Sequence, residues 1–240
     1  MSSILPELII VMPVYNEQAS VRKVVMEWFQ EIENWTENFV FLAIDDGSTD
    51  DSLNVLKRLQ TQLGPRIEIL SRENRGHGQS CLQGYREALS RTIPWIMQID
   101  SDGQCDPQFF FRMWRMRNGC DIIYGRRASR DDGWRRVVAS HVLRMTLLLT
   151  SGAYCVDANV PYRLMRSKSL EKHVKRIPPD FSLANVALSV LLRKDPDISE
   201  GKVRIHFRER YGGEPSVALG KFGGKATELI RQLWSLPDPS

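Results

Sequence analysis

Five short apolar runs, at residues 8–12, 39–44, 67–70, 95–99 and 122–124, alternate with stretches of helical length and periodicity at 17–33, 51–63, 79–90 and 107–117. Runs of Val, Ile, Leu and Phe this continuous suit strands covered on both faces, and strands separated by helices need crossover connections. The alternation predicts a βαβ series, hence an α/β fold with a mostly parallel central sheet flanked by helices. At 240 residues, 42% hydrophobic and 26% charged, the chain can bury one sizeable core, which excludes disorder and coiled coil.

Beyond residue 130 the alternation is less regular: helical patterns at 135–150, 167–175, 181–192 and 218–236, and a strand-like run at 202–207. No linker separates a second domain, so one domain over 1–240 is expected. The formal charge of +4 is too small to argue for nucleic acid, and no nucleic-acid partner is expected. Cys81, Cys105, Cys120 and Cys155 lie far apart with no C-x-x-C pair, which reads as reduced thiols. The apolar stretches 145–156 and 183–192 are bounded by Arg144, Arg163 and Arg193 and fall short of the ~20 residues that span a bilayer. With no basic segment before residues 8–12, a cytoplasmic location is expected.

In a parallel sheet the loops leaving the strand carboxyl ends build the ligand site, and here those loops are unusually polar. Asp100-Ser-Asp102 alternates two carboxylates after the fourth strand, with the Gln104 amide a third candidate ligand. That pattern suits a hard cation, Mg²⁺ or Mn²⁺, against the alternative of a solvated Asp-rich turn. Asp45-Asp-Gly-Ser-Thr-Asp50 after the second strand could cap the following helix through Ser48 or Thr49, but capping requires neither Asp45 nor Asp46. Five guanidinium groups, on Arg126, Arg127, Arg130, Arg135 and Arg136, follow the fifth strand and read as a phosphate-binding stretch. In Asn74-Arg-Gly-His-Gly78 the glycine pair alone is weak, and His77 fits a structural role as well as a catalytic one. No Walker A, Gly-x-Gly-x-x-Gly or Gly-x-Ser-x-Gly sequence occurs at the required place.

Val11-Met-Pro-Val-Tyr-Asn-Glu17, Asp45-Asp-Gly-Ser-Thr-Asp50, Asn74-x-Gly76, Asp100-Ser-Asp102 and Gly125-x-Arg127 stand in the order found in family 2 glycosyltransferases, which the chain resembles from about Leu8 to Ser216. The resemblance implies the GT-A nucleotide-sugar fold, with a nucleotide-sugar half at about 7–127, an acceptor half at 128–216 and a C-terminal amphipathic helix at 218–236. It implies that Pro13, Tyr15, Glu17, Asp45, Asp46, Asn74, Gly76, Asp100 and Ser101 bind the donor, a UDP- or GDP-sugar. Asp100, Asp102 and Gln104 would hold the metal, and Arg126, Arg127 and Arg210 would face phosphates. Asp100-Ser-Asp-Gly-Gln104 and Arg210-Tyr-Gly-Gly-Glu-Pro-Ser216 resemble the polyprenyl-phosphate sugar transferases typified by dolichyl-phosphate mannosyltransferase. The second segment departs from them by one extra residue before Ser216 and by Val217 in place of Lys.

A sugar hydroxyl acceptor needs a general base, and between Asp132 and Asp195 only the lone Asp157 and Asp180 could serve. A phosphate monoester is largely dianionic at neutral pH and needs orientation rather than deprotonation, which favours polyprenyl phosphate over a saccharide. That acceptor implies peripheral membrane contact, through 218–236 with Phe222, Leu229, Leu233 and Trp234 beside Lys225 and Arg231, or through the apolar segment 144–156; packing on the domain is the alternative. A non-catalytic nucleotide-sugar sensor would keep the same pocket. A nucleotidyltransferase would need a Gly-rich basic loop where Pro13 to Glu17 stands.

Overall fold

The computed structural model describes residues 6–127 and 158–212, together with Arg231. The helical patterns at 135–150 and 218–236, the arginines at 130, 135 and 136, Cys155 and Asp157 lie outside the described residues, Arg231 apart.

Among the described residues seven strands join one sheet in the order β3-β2-β1-β4-β6-β5-β7. They are β1 (Leu8–Val14), β2 (Phe39–Asp45), β3 (Ile67–Ser71), β4 (Trp95–Gln98), β5 (Ile122–Arg127), β6 (Arg163–Arg166) and β7 (Glu200–Ile205). The described helices are α1 (Val21–Glu33), α2 (Ser52–Leu63), α3 (His77–Leu89), α4 (Phe110–Met116), α5 (Ser167–Val174) and α6 (Ala184–Lys194).

The continuous apolar runs split across the sheet by the two-residue period of a strand. Leu8, Ile10, Met12 and Val14 join a core with Phe39, Phe41 and Ala43, while Ile9 and Val11 join the opposite core with Val40, Leu42 and Ile44. α1 buries Val21, Val24, Val25, Trp28, Phe29 and Ile32, one helical stripe, against the first core. α4 covers the same face with Phe110, Met113 and Trp114, whereas α3 and α6 cover the other face.

β1 pairs in parallel with β2 and β4, β2 with β3, and β5 with β7. The sequence pattern therefore places the first five strands, but it misses β6, which runs antiparallel between β4 and β5. The sheet is mixed for that reason. The segment 107–117 is also not one helix: Asp106 accepts from the Gln108 N–H at 3.0 Å to cap a 3-10 turn, Pro107–Phe109, before α4 begins. β1, β2 and β4 point the same way, so the loops after them share one edge of the sheet.

Candidate active site

The first two loops on that edge lock together. The N–H groups of Asn16, Glu17 and Gln18 donate to Ser48 Oγ, Ser52 Oγ and Asp50 Oδ2 at 3.1, 2.7 and 3.1 Å. In return Asn16 Oδ1 accepts from the Thr49 N–H at 2.8 Å and Gln18 Oε1 from the Asp51 N–H at 2.9 Å. Asn16 has φ +53°, a left-handed conformation that asparagine tolerates better than most residues. Ser48 thus braces Asn16 rather than capping α2, and the helix begins with no side-chain cap bond from Asp51.

Asp45 and Asp46 are both buried, and their oxygens are filled from within the protein. Asp45 accepts from the Ser48 N–H at 3.2 Å and the Ser71 hydroxyl at 2.8 Å. Asp46 Oδ1 takes Arg72 Nε and Nη2 at 3.0 and 2.7 Å and the Arg75 N–H at 3.0 Å, and its Oδ2 takes the Gly76 N–H at 2.7 Å. Four donors on one carboxylate approach the number of lone-pair sites it has. Asp46 therefore shapes the β3–α3 loop that carries Asn74 and Gly76.

The loop after β4 is held from below, and its carboxylates have fewer internal donors than those of Asp45 and Asp46. Ser101 is buried, donating from Oγ to the Pro13 carbonyl at 2.9 Å, and its own carbonyl accepts from Ser20 Oγ at 3.0 Å. Trp28 Nε1 donates to the Cys105 carbonyl at 3.2 Å, and Tyr162 Oη to that of Asp106 at 3.0 Å. Asp100 Oδ1 meets His77 Nε2 at 3.0 Å and Gln98 Nε2 at 3.3 Å, while its Oδ2 has no partner among the described residues. Asp102 Oδ1 accepts from the Gln104 N–H at 3.0 Å, and its Oδ2 lies 3.5 Å from Arg210 Nη1.

Arg210 arrives on a strap of residues 207–212 laid along this loop. The Arg208 and Tyr211 N–H groups donate to the carbonyls of Gln104 and Asp102, both at 3.0 Å, and Cys105 bridges to Phe207. Arg208 reaches Asp106 at 2.6 Å and Glu27 at 2.8 Å, and Tyr211 Oη also donates to Glu27 at 2.8 Å. Gly103 has φ +84° and lies under the Tyr211 ring, which a Cβ would meet at 2.4 Å, so only glycine lets the strap close. Arg210 then pairs with Glu17 through Nη2 and with Asp102 through Nη1.

Glu17 and Asp102 carry the electrostatic signature of the site. Burial pushes the Glu17 carboxyl above its ordinary pKa, and Asp102 adds to that push, against hydrogen bonding from Ser20 and the charge of Arg210. Burial also raises Asp102, with Asp100 the next cause, against the Gln104 N–H and Arg210. Two acids held above their usual range beside a single guanidinium make a place where a further positive charge is favoured.

Asp100 and Asp102 offer an all-oxygen donor set, which fits Mg²⁺ or Mn²⁺. Among the described residues no group of three or more His, Cys, Asp or Glu side chains forms a cage. Two carboxylates suit an ion whose other ligands come from substrate phosphates and water. The Gln104 amide donates to the Arg208 carbonyl at 3.5 Å, which ties it to the strap.

Tyr15 stands 37% exposed at the mouth, beside the β1–α1 turn. Asn74 is exposed on the loop that Asp46 organises, and Arg126 is exposed in β5 opposite Arg204 of β7. Arg127 ends β5, and its side chain lies outside the described residues. Asp180 is exposed on the turn before α6, and Gly78 brings its segment to the rim: a Cβ there would stand 2.1 Å from the Ser182 carbonyl. His77, Glu27, Arg208 and Tyr211 are site residues that the sequence reading did not assign. Adjacency to Gly76 was the one signal for His77; the others form contacts across 102 to 184 residues, with no local pattern.

Comparison with known proteins bears on the family and the fold. The undecaprenyl-phosphate 4-deoxy-4-formamido-L-arabinose transferase of Serratia proteamaculans is 27% identical over 164 residues, 68% of this chain and 49% of the relative. The chain spans about half the length of that curated relative. Two structures of glucosyl-3-phosphoglycerate synthase from Mycobacterium tuberculosis superpose over 97% of this chain. One, with Mn²⁺, UDP-glucose and phosphoglyceric acid, has a TM-score of 0.64 at 19% identity and is covered over 81% of its length. The other, with Mn²⁺, UDP and phosphoglyceric acid, has 0.66 at 17% and is covered over 80%. At that identity the likeness shows the fold, the GT-A arrangement. The model of glycosyl transferase family 2 matches residues 9–185, from β1 into the start of α6, and so takes in the β1, β2 and β4 loops described above: the chain belongs to glycosyl transferase family 2.

Proposed function

We propose that the protein transfers a sugar, with inversion, from a UDP- or GDP-sugar to the phosphate of a polyprenyl phosphate. The observation that supports the donor half is the meeting of Glu17, Asp102 and Arg210 at one edge of the sheet, with the charge of Asp100 acting on Asp102. A bound Mg²⁺ or Mn²⁺ on Asp100 and Asp102 would neutralise charge developing on the departing nucleoside diphosphate. Arg210 supplies a fixed guanidinium beside those carboxylates, and Glu17 holds it there from the opposite loop. Asp46 and Ser101 position the loops and need not touch the donor, because their polar atoms are engaged within the fold.

The acceptor half is supported by the Serratia relative, whose name specifies a polyprenyl-phosphate sugar transferase. A phosphate nucleophile needs no base, which agrees with the exposed and solitary Asp180. No helix among the described residues is long and apolar enough to cross a membrane, and under this reading the acceptor is met at the bilayer surface. The test is transfer from UDP-glucose, UDP-N-acetylglucosamine, UDP-galactose and GDP-mannose into detergent-solubilised undecaprenyl or dolichyl phosphate, with Mn²⁺ or with EDTA. Labelled lipid formed from one donor and lost with EDTA is the expected result; transfer to neither lipid removes the acceptor assignment.

A second reading, a small hydroxyl acceptor, is favoured by the segment carrying Asp180, which Gly78 admits to the α3 end of the site. The structural neighbours, bound to phosphoglyceric acid, illustrate such an acceptor on the same fold. Asp180→Asn should then abolish transfer while leaving donor binding intact; under the lipid-phosphate reading it leaves transfer unchanged.

A further inference from the structure

We propose that the flank formed by α4, the edge strand β7 and the end of α1 is a docking surface for an anionic lipid bilayer. The inference rests on the lipid-acceptor reading for its purpose and on its own geometry for its test. A cleft of about 400 Å³ opens there, lined by Phe111, Arg112, Arg115, Met116, Lys202 and Arg204. The four basic side chains are exposed, and no acid lines the cleft. Arg115, Lys202 and Arg204 have no ion-pair or hydrogen-bond partner among the described residues. Elsewhere on the surface cations are commonly paired, as in Arg58–Asp51, Arg66–Glu33 and Lys175–Glu171.

Apolar surface adjoins this charge. Trp35, 42% exposed, stacks on Phe111 with ring centroids 5.7 Å apart, and Met116 is 36% exposed. The Arg112 guanidinium lies 5.5 Å from the centre of the Phe111 ring. The Trp35 indole N–H donates to Glu31 at 3.1 Å, and Glu33 and Glu37 stand two residues to either side of it in sequence. Protein partners are recognised by aromatic anchors too, but an interface core is depleted of unpaired charge. Unpaired Arg and Lys beside Trp, Phe and Met match a headgroup layer, where cations meet lipid phosphates and amphipathic rings sit at the boundary. In sequence the 3-10 turn and α4 follow directly from residues 100–106, the loop that carries Asp100 and Asp102.

The experiment is cosedimentation of the whole chain with phosphatidylcholine vesicles containing or lacking phosphatidylglycerol, with neither donor nor polyprenyl phosphate present. Binding to the anionic vesicles only, released by salt, is expected. Combined Arg115→Glu, Lys202→Glu and Arg204→Glu should weaken it at least about tenfold, since juxtamembrane cations act nearly additively. The milder set Arg115→Ala, Lys202→Ala and Arg204→Ala should show the same direction, and both should keep the thermal shift given by Mn²⁺ with UDP. Trp35→Ser should weaken vesicle binding and leave retention on heparin unchanged. Wild-type protein that ignores anionic vesicles, or alanine variants that bind them as wild type does, would overturn the proposal. Retention on heparin without vesicle binding would reassign the surface to an acidic macromolecule. Because no acceptor is present, lipid docking can fail while transfer succeeds, and the reverse.

Discussion

Two pairs of aspartates follow β2 and β4, the strands on either side of β1, and the fold treats them in opposite ways. Asp45 and Asp46 are sunk among donors, with Asp46 alone receiving four hydrogen bonds. Asp100 and Asp102 instead keep an unmatched oxygen, a long contact to Arg210 and, for Asp102, a pKa raised by burial and by its neighbour. The two motifs look alike as text. One pair is filled from within the fold and the other keeps open oxygens, and the number of internal donors available to each carboxylate separates them.

The sharpest way to break that distinction is Asp46→Ala. It would strand the Arg72 guanidinium, 15% exposed, and two backbone N–H groups, and should cost about 3–5 kcal/mol of stability in denaturant titration. A loss below about 1 kcal/mol would show that Asp46 is not the scaffold described here. Asp102→Asn should do the reverse: transfer falls about 10²–10³-fold, while the ligand-free thermal midpoint does not drop, because a strained buried charge has been removed.

Acidity sharpens the same contrast at lower amplitude. With the folded pKa of Glu17 and Asp102 raised, the native state binds more protons than the unfolded chain across the interval from their ordinary values to the raised ones. Stability from these two groups is therefore fully present below that interval and is lost as pH rises through it. An ion held by Asp102, as proposed, would need its ionised carboxylate, so the midpoint gained from Mn²⁺ with UDP should be larger at pH 7.5 than near the bottom of that interval. A gain independent of pH would remove Asp102 from the ion's ligands. The smallest effect is expected for Ser48→Ala, which deletes one bracing bond to the Asn16 N–H and should cost about 1 kcal/mol with unchanged metal response.

Much of this architecture is legible in the chain because it is local. The period-two split of Leu8 to Val14 between two cores needs only the strand itself, and the polar residues that follow must emerge at one edge. β6 is not legible: Arg163-Leu-Met-Arg166 is four residues long with a cation at each end. Arg163 is fully buried there, its guanidinium donating to the carbonyls of Val160 and Ala158 at 2.6 and 3.2 Å. Within the site, the chain announces the carboxylates but not their environment. The four donors that quench Asp46 come from residues 72–76, and the guanidinium that flanks Asp102 comes from residue 210. Only tertiary structure distinguishes a filled carboxylate from an open one.

The strap that delivers Arg210 also sets when the site can exist. Glu17 and Arg210 meet across 193 residues, and closing so long a loop is slow compared with forming the adjacent β1–β2 pairing. On a ribosome, the parallel strands β1 to β4 can pair while the strap is still unmade, and the carboxylate loop then waits without its guanidinium. The cluster of Glu17, Asp102 and Arg210 can therefore close only after residues 207–212 have been made, and a chain released before that strap would carry the recognisable loops of the family without the guanidinium between them.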